Sequence, residues 1–248
     1  MRRHIIINLT VTALLFSLCG CSSLYRPQVM SVPLIDRKGE LRADIGPGCA
    51  SVALGVTDHI AAQGYIKNNS NEGTKLQFAA GLFSPVGNKG VAELYAGYSN
   101  TWGDIVSSSG LFTTDYQAGR IQSYFLQGNY GFKRLGQGDH MELGFGLRGG
   151  MLLYDVNLKT IEENSSVDEQ GNTVTNTVVT QNKDIQGEAP FLEPSIIWRF
   201  GWEHFKINIS YSWSITNKLE IPYTPRSLAL GLCLDFNLYN RKSPMPLN

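Results

Sequence analysis

Residues 202–213 read WEHFKINISYSW. From Phe205 onward the odd positions are Phe205, Ile207, Ile209, Tyr211 and Trp213, and the even ones are Lys206, Asn208, Ser210 and Ser212. Alternation with a period of two is the mark of a β-strand with one oily and one polar face. The fold turns on what the oily face touches, a protein core or lipid.

The same alternation recurs along the chain. Leu41, Ala43 and Ile45 alternate with Glu40, Arg42 and Asp44, and a Gly46-Pro47-Gly48 turn follows. Val52, Leu54 and Val56 then alternate with Ser51, Ala53 and Gly55, and Leu228, Leu230, Leu232, Leu234, Phe236 and Leu238 form one face of a last strand. Further alternating segments run over about 59–68, 75–84, 90–100, 120–133, 140–156, 188–200 and 204–215, giving ten predicted strands. The chain has 248 residues, 26 of them glycine, only 17% charged residues and a formal net charge of zero. That balance gives no electrostatic reason to expect a nucleic-acid partner. Beyond the first twenty residues no apolar run is long enough to span a membrane as a helix. The expected class is all-β, an antiparallel up-and-down transmembrane β-barrel of about ten strands.

The connections carry a second signal. Thr57-Asp58, Pro85–Lys89, Leu135–Asp139 and Gly201–Glu203 are short. Asn68–Thr74, Asn100–Gly119, Asn157–Gly187 and Thr216–Arg226 are longer and polar, and the two classes alternate. Transmembrane barrels connect their strands in this way, with tight turns on the periplasmic side and longer loops outside. An even strand count leaves both ends of the barrel on the tight-turn side, where a lipid at Cys21 would enter the inner leaflet of the outer membrane.

The two faces differ in chemistry. Phe132, Phe200, Trp202, Phe205 and Phe236 lie near the predicted turn-side ends, Tyr98, Tyr124, Tyr211 and Trp213 near the other, mostly on oily-face parity; Phe83 lies at the turn side with ambiguous parity. Two aromatic belts suit two membrane interfaces. Arg42, Asp44, Glu93, Glu142, Arg148, Glu193, Arg199 and Asp235 share the polar parity and belong in the lumen, where buried charges require partners. Glu142 with Arg199, and Arg148 with Glu193, fit one antiparallel register centred on Gln170-Gly171, within the turn-like Asp168-Glu169-Gln170-Gly171-Asn172. Strands 140–156 and 188–200 are therefore expected to continue beyond the membrane as a hairpin. Arg42 and Asp235 are expected to pair where first and last strands meet. A barrel this small fills with side chains rather than holding a wide pore.

The N-terminus reads as a targeting segment. Arg2, Arg3 and His4 precede an apolar stretch from Ile5 to Leu18, then Leu18-Cys19-Gly20-Cys21-Ser22-Ser23. This resembles a bacterial lipobox, which makes 1–20 a lipoprotein signal peptide and Cys21 the acylated residue. Residues 21–39 are expected to be a lipidated linker, 40–239 the barrel and 240–248 a tail. Cys49 and Cys233 fall on non-neighbouring strands and are expected to be free thiols.

The remaining residues give little reason to expect catalysis. His59, His140 and His204 each follow an acid at a tight turn, and parity points each imidazole to the lumen around one rim. Surface proteases of the omptin kind need histidine in the outer loops, and barrel phospholipases need a lipid-facing Ser-His pair. Neither arrangement is read here, and Glu162, Glu163, Asp168 and Glu169 suit a solvated loop. No catalytic residue, metal site or cofactor is expected.

Leu18-Cys19-Gly20-Cys21, Val32-Pro33-Leu34-Ile35-Asp36-Arg37-Lys38-Gly39-Glu40-Leu41 and Gly55-Val56-Thr57-Asp58-His59-Ile60-Ala61 together resemble outer-membrane β-barrel lipoproteins of Bacteroides-like bacteria, a family without a characterised activity. In that family a Pro-Leu segment ending in Lys-Gly-Glu leads into the barrel, and an Ala-Tyr-Ala-x-Thr-Asp-His hairpin follows; Leu54–His59 matches it in part. The motifs cover only the first third of the mature chain. The resemblance implies an outer-membrane barrel and no specific reaction. The functional expectation is a lipid-anchored barrel with a structural or surface-interaction role. Its partners would be outer-membrane lipid and an extracellular ligand or protein reached through loops 100–119 and 157–187. The alternative is a soluble, lipid-anchored barrel holding a small apolar ligand in the periplasm or at the cell surface.

Overall fold

A computed structural model describes residues 23–29, 32–70, 72–108, 113–136, 140–167, 173–202 and 204–238. Residues 1–20, expected to be a signal peptide, Cys21, the expected turn at 168–172 and the tail at 240–248 lie outside the described residues. Strands β1 (Glu40–Gly46), β2 (Cys49–Gly55), β3 (Ile60–Asn69), β4 (Gly73–Val86), β5 (Gly90–Ser108), β6 (Thr113–Leu135), β7 (Met141–Val167), β8 (Thr173–Gly201) and β9 (Phe205–Trp213) pair in sequence, and β11 (Arg226–Asn237) follows β10 (Ile215–Thr216). β8 pairs β9, β9 pairs β11 and β11 pairs β1, so the sheet closes into an antiparallel ten-stranded barrel. β10 is a two-residue addition against β8.

The opening stretch now has its answer. Lys206, Asn208, Ser210 and Ser212 are buried in the lumen, while Phe205 and Trp213 are exposed on the outside, with Ile207, Ile209 and Tyr211 half-exposed between them. The barrel is oily outside and polar within. Phe83, whose parity was ambiguous, is buried inside.

One mouth carries the tight turns after β2, β4, β6 and β8; we call it the turn mouth. The opposite, hairpin mouth carries two strand pairs that rise far past the rest. The 100–119 segment, expected as a long loop, is mostly strand, with β5 paired to β6 out to Ser108↔Thr114, whereas the 157–187 connection is the hairpin continuation expected from the acid–base register, with β7 paired to β8 out to Val167↔Thr173. Beyond the closed barrel these strands have no enclosed lumen on one side and oily wall on the other, so they lose the alternation that identifies them in sequence. The β7–β8 register places Glu142 opposite Arg199 and Arg148 opposite Glu193 and holds as far as Thr160↔Gln181. A bulge between Thr160 and Ile161 then shifts it by one residue. The connection between β10 and β11 folds over the hairpin mouth, where Ile221 is buried and Leu219 and Tyr223 pack against the apolar cluster that contains Ile105, Val156 and Ile185.

The largest departure concerns the residues expected to be a linker. Residues 23–29 and 32–36 run through the lumen as a plug, with Leu24, Tyr25, Val32, Leu34 and Ile35 all buried. Gly39, at φ 77, then turns the chain back into β1, a conformation that costs a glycine nothing.

Candidate functional site

The distinctive chemistry of the chain lies in the lumen, where wall and plug meet. At the turn mouth the centre is Arg42, fully buried. Its Nε donates to Glu40 Oε1 at 2.9 Å, its Nη1 and Nη2 to the two Glu142 oxygens at 2.7 and 2.9 Å, and its Nη2 also to Asp235 at 2.7 Å. A two-pronged guanidinium–carboxylate pair is among the strongest buried contacts, because planar fork meets planar fork. Beside it Arg199 donates to Asp44 at 3.0 and 3.3 Å, and Asn208 adds a 2.7 Å bond to the same carboxylate. Lys206 stands 3.4 Å from Glu142, and Lys133 reaches Glu40 at 2.5 Å. Arg42 and Asp235 face each other across the β1–β11 seam, where the barrel closes.

The register neighbours and the chemical partners are not the same. Glu142 lies opposite Arg199 on β8, yet its short bonds go across the lumen to Arg42, and Arg199 Nη1 remains 3.5 Å away. A strand ladder sets which Cα atoms are level; a narrow lumen lets a long arginine choose among carboxylates from several walls. Asp44 stood in sequence on the right face without an assigned partner. Glu40, Lys133 and Lys206 complete the network without having been singled out as pairing residues.

Deeper, toward the hairpin mouth, Arg148 is held more loosely. It lies 3.4 Å from Glu193, donates to Gln127 at 3.0 and 3.3 Å, and stacks its guanidinium 4.4 Å from the centre of the Phe125 ring. The plug finishes the site. Tyr25 Oη donates to Glu193 at 2.9 Å and bonds the Ser214 hydroxyl at 3.0 Å. Gln28 Oε1 accepts from Arg148 at 3.5 Å, and the Gln28 carbonyl accepts from Ser212 at 3.0 Å.

The walls are shaped to receive the plug. A Cβ added at Gly144 would stand 2.8 Å from Val32 Cγ1 and 2.9 Å from Ile197 Cγ2, so the missing side chain there makes room for the plug. Val32, Leu34, Val91 and Ile197 form one buried apolar cluster, and Leu24, Tyr25 and Ile35 join a larger one. Polar bonds fix the backbone: the Arg199 guanidinium donates to the Val32 carbonyl at 2.9 Å, and the Ile35 amide donates to Glu93 at 2.8 Å.

Both ends of the plug are tied by ions. Asp36 meets Lys133 at 3.0 Å at the turn mouth; burial opposes its charge, but Lys133 and neighbouring donors hold its carboxyl at about 2, below the ordinary 3.8. At the hairpin mouth Arg26 donates to Glu72 at 2.6 Å, and Lys67 binds the same carboxylate. Burial again works against the charge, and Lys67 with Arg26 holds Glu72 below the usual carboxylate range.

A cavity of about 250 Å³ opens at the turn mouth beside Asp36, Lys89 and Arg134, one of about 40 Å³ lies beside Val29, Asp44 and Asn208, and one of about 10 Å³ beside Tyr25, Lys75 and Arg148. Pockets for small organic ligands run from about 300 Å³ upward. His59, His140 and His204 are exposed at the turn mouth, and His204 stacks on the outward Phe236 ring rather than turning into the lumen as parity suggested. Among the described residues Cys49 and Cys233 are free thiols. Comparison with protein-family models, with curated proteins and with solved structures gave no match. The functional reading therefore rests on the geometry.

Proposed function

We propose that this chain is an outer-membrane β-barrel, acylated at Cys21, whose role is structural or surface-interactive rather than catalytic. One observation carries the reading: the burial pattern is inverted. Phe78, Leu126 and Leu230 are 64%, 62% and 61% exposed on the outer wall, while Arg42, Arg148 and Arg199 are at most 2% exposed. Exposed apolar surface on a monomer ordinarily comes in patches of a few hundred Å²; here it encircles the barrel. The band also has the right height. On β6 the outward Tyr124 and Phe132 bound Leu126 and Tyr130; eight steps at about 3.4 Å, tilted by about 40°, give roughly 21 Å. That is close to the apolar band of about 25 Å of such barrels. Aromatic pairs edge it, Tyr98–Tyr124 and Tyr211–Trp213 toward the hairpin mouth, Tyr130–Phe132 and Trp202–Phe205 toward the turn mouth. The filled lumen supports a closed barrel over a carrier of a small apolar ligand. The raised β5–β6 and β7–β8 hairpins, residues 100–119 and 157–187, are the surface offered to an extracellular partner.

The test removes the anchor. Cys21→Ala protein is expected to remain in the membrane fraction, to need detergent for extraction and to show a heat-modifiable gel shift. Leu230→Arg, near mid-band, is expected to lower folding stability in bilayers by about 2–4 kcal/mol, and Leu126→Arg, one outward position from the Tyr124 edge, by less. Release of the Cys21→Ala chain in soluble, folded form ends the reading.

A further inference from the structure

We propose that the acylated N-terminus emerges at the hairpin mouth, threaded through its own barrel, so that the Cys21 lipid enters the leaflet on the side of the raised hairpins. The inference rests on the membrane-barrel reading and adds the placement of the anchor. It reverses the expectation that the lipid sits with the tight turns.

The direction of the plug is fixed by its partners. Ser23 Oγ lies 2.8 Å from the Thr224 hydroxyl, in the connection over the hairpin mouth. The Leu24 amide donates to Gln117, on the raised part of β6, at 3.2 Å, and Arg26 binds Glu72 between β3 and β4. The Thr224 amide donates to the Tyr25 carbonyl at 3.0 Å. Farther along, Gln28 meets Ser212 and Val32 meets Arg199. At the far end the Asp36 amide donates to Glu40 at 2.8 Å, and the Gly39 amide to Gly55 at 2.7 Å, both at the turn mouth. The chain therefore enters at the hairpin mouth and leaves at the turn mouth.

Connectivity does the rest. Cys21 lies two positions before Ser23, and a chain reaches at most about 3.6 Å per residue, or about 7 Å over that span. Cys21 thus belongs to the mouth where Ser23 is held. Anchoring at the other leaflet would require withdrawing Leu24 and Tyr25, 2% and 4% exposed, and breaking the Tyr25 bonds to Glu193 and Ser214. The void at Gly144 and the buried fit of Val32 and Leu34 mark the plug as an integral part of the barrel. In the usual orientation of such barrels the longer connections face outward, which puts the lipid in the outer leaflet, beside the hairpins.

The experiment uses full-length chains in cells fed an alkynyl palmitate, in a Cys49→Ser, Cys233→Ser background. Ser23→Cys with Thr224→Cys, and separately Leu24→Cys with Gln117→Cys, are oxidised in isolated membranes. Most of the alkyne-labelled chain is expected to carry a reducible intramolecular cross-link in at least one pair. The exposed Asn217→Cys is expected to react with a membrane-impermeant maleimide in intact cells. Heat-modifiable, acylated chains that cross-link in neither pair overturn the threading and leave the barrel reading standing. Labelling of Asn217→Cys only after cell breakage overturns the outer-leaflet placement. Absence of the alkyne label removes the anchor and with it its placement; soluble release of Cys21→Ala protein instead brings down the membrane-barrel reading on which the leaflet placement rests.

Discussion

The two ends of the lumen grip the same plug in different ways. At the turn mouth every hydrogen bond described for Arg42 goes to a wall strand: Glu40 on β1, Glu142 on β7 and Asp235 on β11. Toward the hairpin mouth Arg148 stands 3.4 Å from its wall carboxylate Glu193, and the shorter bond to Glu193, at 2.9 Å, comes from Tyr25 of the plug. Arg42 ties the barrel to itself across the closing seam, while its neighbours Lys133 and Arg199 also reach Asp36 and Val32 of the plug. The Arg148 network is incomplete until the plug arrives. Arg42 therefore bears first on barrel closure and Arg148 on plug docking, and the two predict different phenotypes.

The largest effect belongs to Arg42→Met. It leaves Glu142 and Glu40 buried, and Asp235 half-buried, with reduced compensation, a loss of about 3–5 kcal/mol when one partner of a buried pair is removed. The urea midpoint of the heat-modifiable form should fall accordingly. Arg148→Met should lower it less, because Tyr25 still donates to Glu193; equal losses in the two variants would erase the distinction between the regions.

Next is Tyr25→Phe, which keeps the ring and deletes the donor to Glu193. A hydrogen bond to a charged group is worth about 1.5–3 kcal/mol. The loss should fall on docking alone: limited proteolysis in detergent should cut within 23–36 more readily, with the barrel midpoint unmoved. A lowered barrel midpoint with unchanged cleavage would show the reverse division of labour. Gly144→Leu attacks docking by volume instead, since its new side chain meets Val32; overpacking costs about 1–3 kcal/mol. Planar-bilayer conductance should rise as Val32 is displaced, and a silent, protease-resistant variant would mean that the wall yields instead of the plug.

Much of this was legible from residues and some was not. Lumen and outer faces could be read because a strand of this barrel wall has a polar, buried face and an oily, outward one, and Lys206–Ser212 record both. The β7–β8 register could be read because two acid–base pairs repeat on one spacing. The plug could not be read from periodicity: it touches wall on several sides, so Val32, Leu34 and Ile35 have no polar face to alternate with. Its signal lay in the wall, where large apolar side chains such as Tyr95, Phe125 and Ile197 share the lumen face with charged ones and need an apolar partner. The bulge at Thr160 left no comparable mark, and the choice of Arg42 over Arg199 by Glu142 depends on cross-lumen reach that register alone does not encode.

The smallest effect lies at the turn-mouth end of the plug and sets the strength of its ionic tie. Asp36 titrates at about 2, against an ordinary 3.8, because Lys133 and nearby donors outweigh the burial that opposes its charge. For a carboxyl whose folded value is depressed, the stabilisation is complete above the unfolded value, near pH 4, and is lost as the pH falls through about 2. Acid between those limits should loosen the link from Asp36 to Lys133 without addressing Tyr25 at the other end. The carboxyl carbon shift of Asp36 in micelles should therefore titrate near 2, and in Lys133→Met its midpoint should climb toward 4. A wild-type midpoint already near 4 would mean that Lys133 does not hold the plug at this mouth, and that Val32 and Ile35 retain it through packing and backbone bonds instead.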